Sequence, residues 1–136
     1  MELNAQQMQE VAIIRRYLIN IIRTSDKCYY TTYQKMVDDC KLPYPDLNKH
    51  PLYRKQLGLI LAFMLIDDYQ NHRPFLTSII YGAGLYRPRN GFYNTLCREA
   101  PLNVKFKSPE KVYKDIVFRR SFEKEAVNYW KNNNTI

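Results

Sequence analysis

Few side chains in this sequence of 136 residues have the type and spacing for covalent chemistry. The two histidines, His50 and His72, sit beside prolines in expected loops, far in sequence from any cysteine at metal-ligand spacing. The three cysteines, Cys28, Cys40 and Cys97, are an odd number and show no C-x-x-C pair, so neither a zinc site nor a disulfide framework is expected. The acidic pairs Asp38-Asp39 and Asp67-Asp68 fall in helical stretches, where neighbouring side chains diverge by about a hundred degrees and do not converge on one ion. They read as solvated helix ends. Gly82-Ala83-Gly84 resembles part of a phosphate-cradling loop but lacks the third glycine and the strand-helix setting. Ser78 and Cys97 are the remaining nucleophiles to consider, with no histidine placed as a base, and Cys97 reads as a small apolar helix residue. No catalytic constellation, metal or cofactor is expected.

Binding chemistry is better represented. Twenty-one Lys and Arg face thirteen Asp and Glu, giving a formal charge of +8 and a pI near 9.4, a balance that favours polyanionic partners. The excess is uneven, because residues 81–136 hold eleven of the basic and only five of the acidic side chains. Within that part, Arg87, Arg89, Arg98, Lys105 and Lys107 oppose only Glu99 and alternate with Tyr86, Phe92, Tyr93 and Phe106. Arginines on a glycine-bearing loop can hold phosphates, and nearby rings can stack on bases. A solvated basic face over an aromatic core gives the same pattern.

The elements that must position these residues follow from periodicity. Met8, Val11, Ala12, Ile14, Leu18, Ile21 and Ile22 predict an amphipathic helix over about 5–23, with Arg15, Arg16 and Arg23 elsewhere on the cylinder. Thr31 and Gln34 have capping-box spacing for a short helix over about 32–40, which Leu42-Pro43-Tyr44-Pro45 ends. Pro51 suits the first turn of a helix to about Tyr69, striped by Leu57, Ile60, Leu61, Met64 and Leu65. Phe75 to Tyr81, β-branched and aromatic between proline and glycine, reads as a strand. Gly82 to Gly91 holds three of the four glycines and reads as a turn-rich loop or hairpin tip, and Gly91-Phe92 opens a helix to about Glu99. Ser108-Pro109 starts a last helix, with Val112, Ile116, Phe122 and Trp130 on its buried side.

The stretch from Thr31 to Tyr93 resembles the C-terminal, winged-helix-type DNA-binding domain of alkylguanine-DNA alkyltransferases and their alkyltransferase-like relatives. Thr32-Tyr33-Gln34-Lys35-Met36-Val37 is similar to the family's Ser/Thr-Tyr-Gly/Gln-x-Leu-Ala segment, which implies that Tyr33 presses on the backbone phosphate of a flipped nucleotide. Lys55-Gln56-Leu57-Gly58 resembles the recognition-helix segment Arg-x-Val-Gly and puts Lys55 at the intercalating arginine, with Arg54 able to substitute. Gly91-Phe92-Tyr93 is similar to the family's later Gly-Tyr/Phe region. Where the family has Pro-x-Leu-x-Pro-Cys-His-Arg-Val-Val, this chain has Arg73-Pro74-Phe75-Leu76-Thr77-Ser78-Ile79-Ile80, without the reactive Cys or its His and Arg. Such a relative would bind DNA without transferring an alkyl group.

The expectation is therefore one α+β domain over 1–136, mainly helical, with a winged-helix-like core at about 27–100 and flanking helices at about 5–23 and 109–131. The expected function is non-enzymatic DNA binding through a helix-turn-helix-like unit and a basic loop, using Tyr33, Arg54, Lys55, Arg87, Arg89, Lys105 and Lys107. The alternative is a protein-interaction, inhibitor or accessory module. The polar, acidic opening MELNAQQMQE has no export signal, and the longest apolar run, Leu57 to Ile66, is too short to span a bilayer, so a cytoplasmic setting with no membrane partner is expected.

Overall fold

Asn4 starts the first helix, α1 (Ala5–Thr24), by accepting a hydrogen bond from the Gln7 amide at 2.8 Å, while the Gln7 side chain accepts from the Asn4 amide at 2.9 Å. This reciprocal pair is the capping box that the sequence suggested instead for Thr31 and Gln34. A computed structural model describes residues 2–100 and 108–132. Lys105 and Lys107, expected as phosphate contacts, lie outside the described residues. The order continues with β1 (Thr31–Thr32), α2 (Tyr33–Asp39), α3 (Pro51–Gln70), a 3-10 turn (Leu76–Ile79), β2 (Ile80–Tyr81), α4 (Asn90–Glu99), α5 (Pro109–Lys114) and α6 (Ile116–Asn132). The fold is α+β and mainly helical. No helix of the described residues is long and apolar enough to cross a membrane.

The expected strand at Phe75 to Tyr81 is for the most part a 3-10 turn, and only Ile80 and Tyr81 are extended. Every residue of that run is buried, so the two-residue periodicity that separates strand from turn has no polar face to reveal it. The turn is held from outside, because a carboxylate oxygen of Asp68 accepts from the Leu76 amide at 3.1 Å. β2 then pairs in parallel with β1, Thr31 opposite Ile80 and Thr32 opposite Tyr81. The loop after β2 does not return as a strand among the described residues. It closes on itself, Gly82 donating to the Arg87 carbonyl at 2.8 Å and Leu85 to the Gly82 carbonyl at 3.0 Å. A side chain at Gly82 would meet Leu85 at 2.6 Å and Arg89 at 2.9 Å, which is why the loop needs glycine there.

The single last helix expected from Ser108 is two helices. Asp115 is extended, and its carboxylate accepts from the Phe118 amide at 3.1 Å, so it caps α6 as α5 ends. On α1, Met8 is exposed and Ala12 faces solvent, while Ile19 and Glu10 are buried, a rotation of the expected stripe toward α3, α6 and the 3-10 turn. Glu10 is tolerated inside because the Tyr44 hydroxyl and the Gln6 amide donate to its carboxylate.

Asp67 and Asp68 are not solvated helix ends. Asp68 is fully buried, and the two carboxylates together receive two guanidiniums. Arg15 of α1 reaches Asp67 at 2.7 Å and Asp68 at 2.9 Å, and Arg73 reaches them at 2.7 and 3.0 Å. Arg15 is thus an inner residue of α1 rather than part of its solvent face. The divergence of adjacent helix side chains, which argues against one small ion, suits two planar forks. This ionic knot ties α1 to the C-terminal end of α3 and to the start of the 3-10 turn.

Two apolar clusters meet on α3. Leu57, Ile60 and Met64 pack with α1, α2, the 3-10 turn and Trp130, whereas Leu65 joins Phe75, Tyr93, Leu96, Val112 and Phe122 on the other side.

Candidate functional site

Helix α3 carries more apolar residues than its core stripe uses, and Leu61 is the surplus. It is only partly buried and, with Gly58 and Ala62, forms one wall of a cavity of about 280 Å³. Gly91, Phe92 and Thr95 of α4 make the facing wall, and Thr77 and Ile80 close the floor. Cations and a phenol stand at the rim, namely Tyr33 at the start of α2, Arg54 on the first turn of α3 and Arg89 just before α4. The volume is close to the lower end of small-ligand pockets, and the lining is mainly apolar, as is usual for such sites.

The rim is pre-organised. The Arg89 amide donates to the Tyr33 hydroxyl at 3.0 Å, and the Arg89 guanidinium lies 5.4 Å from the Tyr33 ring centroid. Burial raises the Tyr33 pKa, partly opposed by the Arg89 amide and by the charges of Arg89 and Arg87, so the phenol stays neutral. Arg54 donates to the Leu47 and Asn48 carbonyls at 2.6 and 2.9 Å, while the Leu47 amide donates to Gln34 of α2 at 2.7 Å. The connection between α2 and α3 is therefore stapled to both helices, and Arg54 fixes the turn while it lines the cavity. In the floor, the Thr77 hydroxyl is buried without a hydrogen-bond partner.

Of the residues singled out from sequence, Tyr33, Arg54 and Arg89 come together here. Lys55 follows Arg54 on α3 and is exposed. Arg87 turns elsewhere. Its guanidinium lies 4.0 Å from the Tyr113 ring centroid and 5.7 Å from that of Tyr93, and it is not part of the cavity lining. Leu61, Thr77 and Thr95 are not among the sequence-based site residues, and Phe92 is read there only as a ring beside the basic loop; the sequence signal for Leu61 is the width of the apolar face on α3, broader than one packing partner needs.

The other candidates are placed as follows. His50 is exposed at the N-terminal boundary of α3, its ring 4.9 Å from Tyr53, and His72 is exposed just past the end of α3 with a left-handed φ of 56°. Ser78 is buried, and its hydroxyl has no hydrogen-bond partner among the described residues. Burial pushes the Cys40 thiol to about 11 and raises that of Cys97, the opposite of what a reactive thiolate requires. Among the described residues no group of His, Cys, Asp and Glu is placed to hold a metal ion.

No protein-family model, curated protein or solved structure matches this chain. The functional reading therefore rests on the residues themselves.

Proposed function

We propose that this chain is a non-enzymatic DNA-binding protein with a winged-helix-like core, which meets nucleic acid along the edge formed by Tyr33, Arg54, Lys55 and Arg89. The observation that carries the reading is the meeting of Tyr33, Arg54 and Arg89, from three separate segments, around one apolar cavity. In this reading α2, the stapled turn and α3 act as the helix-turn-helix-like unit, Arg89 and Lys55 supply contacts to phosphates, and Arg54 holds the turn in register. The charge of +8 adds long-range attraction, and Lys105 and Lys107 are proposed to extend the contact.

The test is anisotropy of a labelled duplex and a labelled single strand, titrated with protein over a range of salt. Binding should weaken linearly on logarithmic axes, and replacing Lys55 and Arg89 by Ala should each reduce the slope by about 0.9 if each meets one phosphate of a duplex. Absence of binding to either nucleic acid at low salt would overturn the proposal. The second reading, a protein-interaction module, is favoured by Leu52 and Leu59, which are 63% and 44% exposed on α3. A stoichiometric protein complex that ignores added DNA and is weakened by Leu52→Asp would select it.

A further inference from the structure

Behind α4, on the side facing α5 and α6, three buried polar atoms have no hydrogen-bond partner: the Tyr93 hydroxyl, Arg119 Nε and Glu123 Oε1. They come from α4 and α6 and share one electrostatic neighbourhood, since the Tyr93 hydroxyl feels Arg119, Arg87 and Glu123 together, and Tyr33 of the cavity as well. Tyr113 of α5 completes the enclosure. Its ring centroid is 5.4 Å from that of Tyr93, the Arg87 guanidinium lies 4.0 Å from it, and its carbonyl accepts from Arg119 Nη1 at 3.0 Å. Tyr81 at the end of β2 borders the cluster through Glu123, Arg119 and Arg120.

Buried polar groups in folded proteins are almost always satisfied, so three orphans in one place call for an occupant. Charge says what kind. Arg119 and Arg120 act on the single carboxylate of Glu123, Arg119 and Arg87 act on the Tyr93 hydroxyl, and among the described residues none of the three arginines is in an ion pair. Burial raises the Glu123 pKa, opposed by Tyr81, Arg120 and Arg119. Arg119, Glu123 and Tyr113 are only partly buried and Arg120 is exposed, so the cluster lies just beneath the surface, with its three orphaned atoms covered. A water molecule would satisfy the orphaned atoms and leave the guanidiniums uncompensated. A phosphate group, a dianion with several acceptor oxygens, gives an acceptor to the orphaned Tyr93 hydroxyl and Arg119 Nε and a counter-charge to the guanidiniums.

We propose that Arg87, Arg119 and Tyr93, bordered by Tyr81 and Tyr113, form a binding site for a phosphate group, neighbouring the cavity between α3 and α4. The probe is inorganic phosphate, compared with chloride and acetate at equal ionic strength, and the readout is the melting temperature of the full chain. Phosphate should raise it saturably and the other two anions should not. Tyr93→Phe removes only the orphaned hydroxyl, so it should leave the melting temperature without phosphate no lower, yet weaken the apparent phosphate affinity about tenfold. Arg119→Gln should weaken it at least as much, and Lys55→Ala or Arg89→Ala should leave it intact whether or not DNA binds. The proposal is overturned if phosphate acts no differently from chloride, or if Tyr93→Phe and Arg119→Gln both keep the wild-type response. Once that response is seen, a 5′-phosphorylated oligonucleotide compared with its 5′-hydroxyl form identifies the source. A preference lost in Tyr93→Phe marks a nucleic-acid terminus as the phosphate donor, and equal binding of the two forms marks free phosphate or a small ester.

Discussion

Two arginine clusters in this molecule are built from the same kinds of group and end in opposite states. At the end of α3, Arg15 and Arg73 meet Asp67 and Asp68 in four contacts of 2.7–3.0 Å, and the remaining oxygen of Asp68 is taken by the Leu76 amide. Behind α4, Arg119 and Arg120 act on Glu123 and Arg87 on Tyr93 with no ion pair among the described residues, and three buried polar atoms stay unsatisfied. The first cluster is saturated and therefore structural, since it has nothing left to offer a ligand. The second keeps charge and hydrogen-bonding capacity in reserve, which costs stability unless something binds.

The strongest way to break this contrast is Asp68→Ala. It would take from both guanidiniums one of the two carboxylates they share and leave the buried Leu76 amide without its acceptor, and should lower the free energy of unfolding by about 3–5 kcal/mol in chemical denaturation. A loss below about 1 kcal/mol, the range of exposed pairs, would remove the structural assignment of the knot. Arg73→Lys keeps the charge and loses the fork that spans both carboxylates, so about 1.5–3 kcal/mol should disappear in the same measurement.

The unsaturated cluster should respond to pH. The Glu123 pKa in the folded state is raised above its ordinary value of 4.5, chiefly by burial, so in the window just above 4.5 the folded protein binds more protons than the unfolded chain. Stability then falls as pH rises through that window. Glu123→Gln should flatten this part of the profile, seen as a gap between variant and wild type that widens from pH 4.5 upward; a constant gap would place Glu123 in water. Smallest of all should be Tyr93→Phe, which removes an unsatisfied hydroxyl and should change stability by no more than about 1 kcal/mol, in the stabilising direction. A clear destabilisation would mean that the hydroxyl already has a partner.

Local signals carried a good part of the fold. Pro51 and Pro109 stand at the first turns of α3 and α5, and the apolar spacing of α1 and α3 sets both helices to within a residue or so at each end. Asp115 was readable in principle, as an acid three residues before Phe118, but it is hidden in a run whose apolar spacing passes straight through it. The 3-10 turn was not readable, because the acceptor that holds its first amide belongs to another helix. The candidate site divides in the same way. Tyr33, Arg54 and Arg89 were chosen for type and motif position, whereas Leu61, Phe92 and Thr77 are ordinary apolar or hydroxyl residues until folding sets them around one space.

The sequence alone determined the charge excess, its concentration beyond residue 80, and the helical periods, since composition and spacing are properties of the chain. Only the tertiary structure decided which charges are spent. Arg15 and Asp68 lie 53 residues apart and bond at 2.9 Å, while Arg87, which donates to the Pro88 carbonyl of its own loop, also lies against Tyr113. Coulombic and hydrogen-bond energies depend on distance and burial in space, and neither quantity is written in the order of residues along the chain.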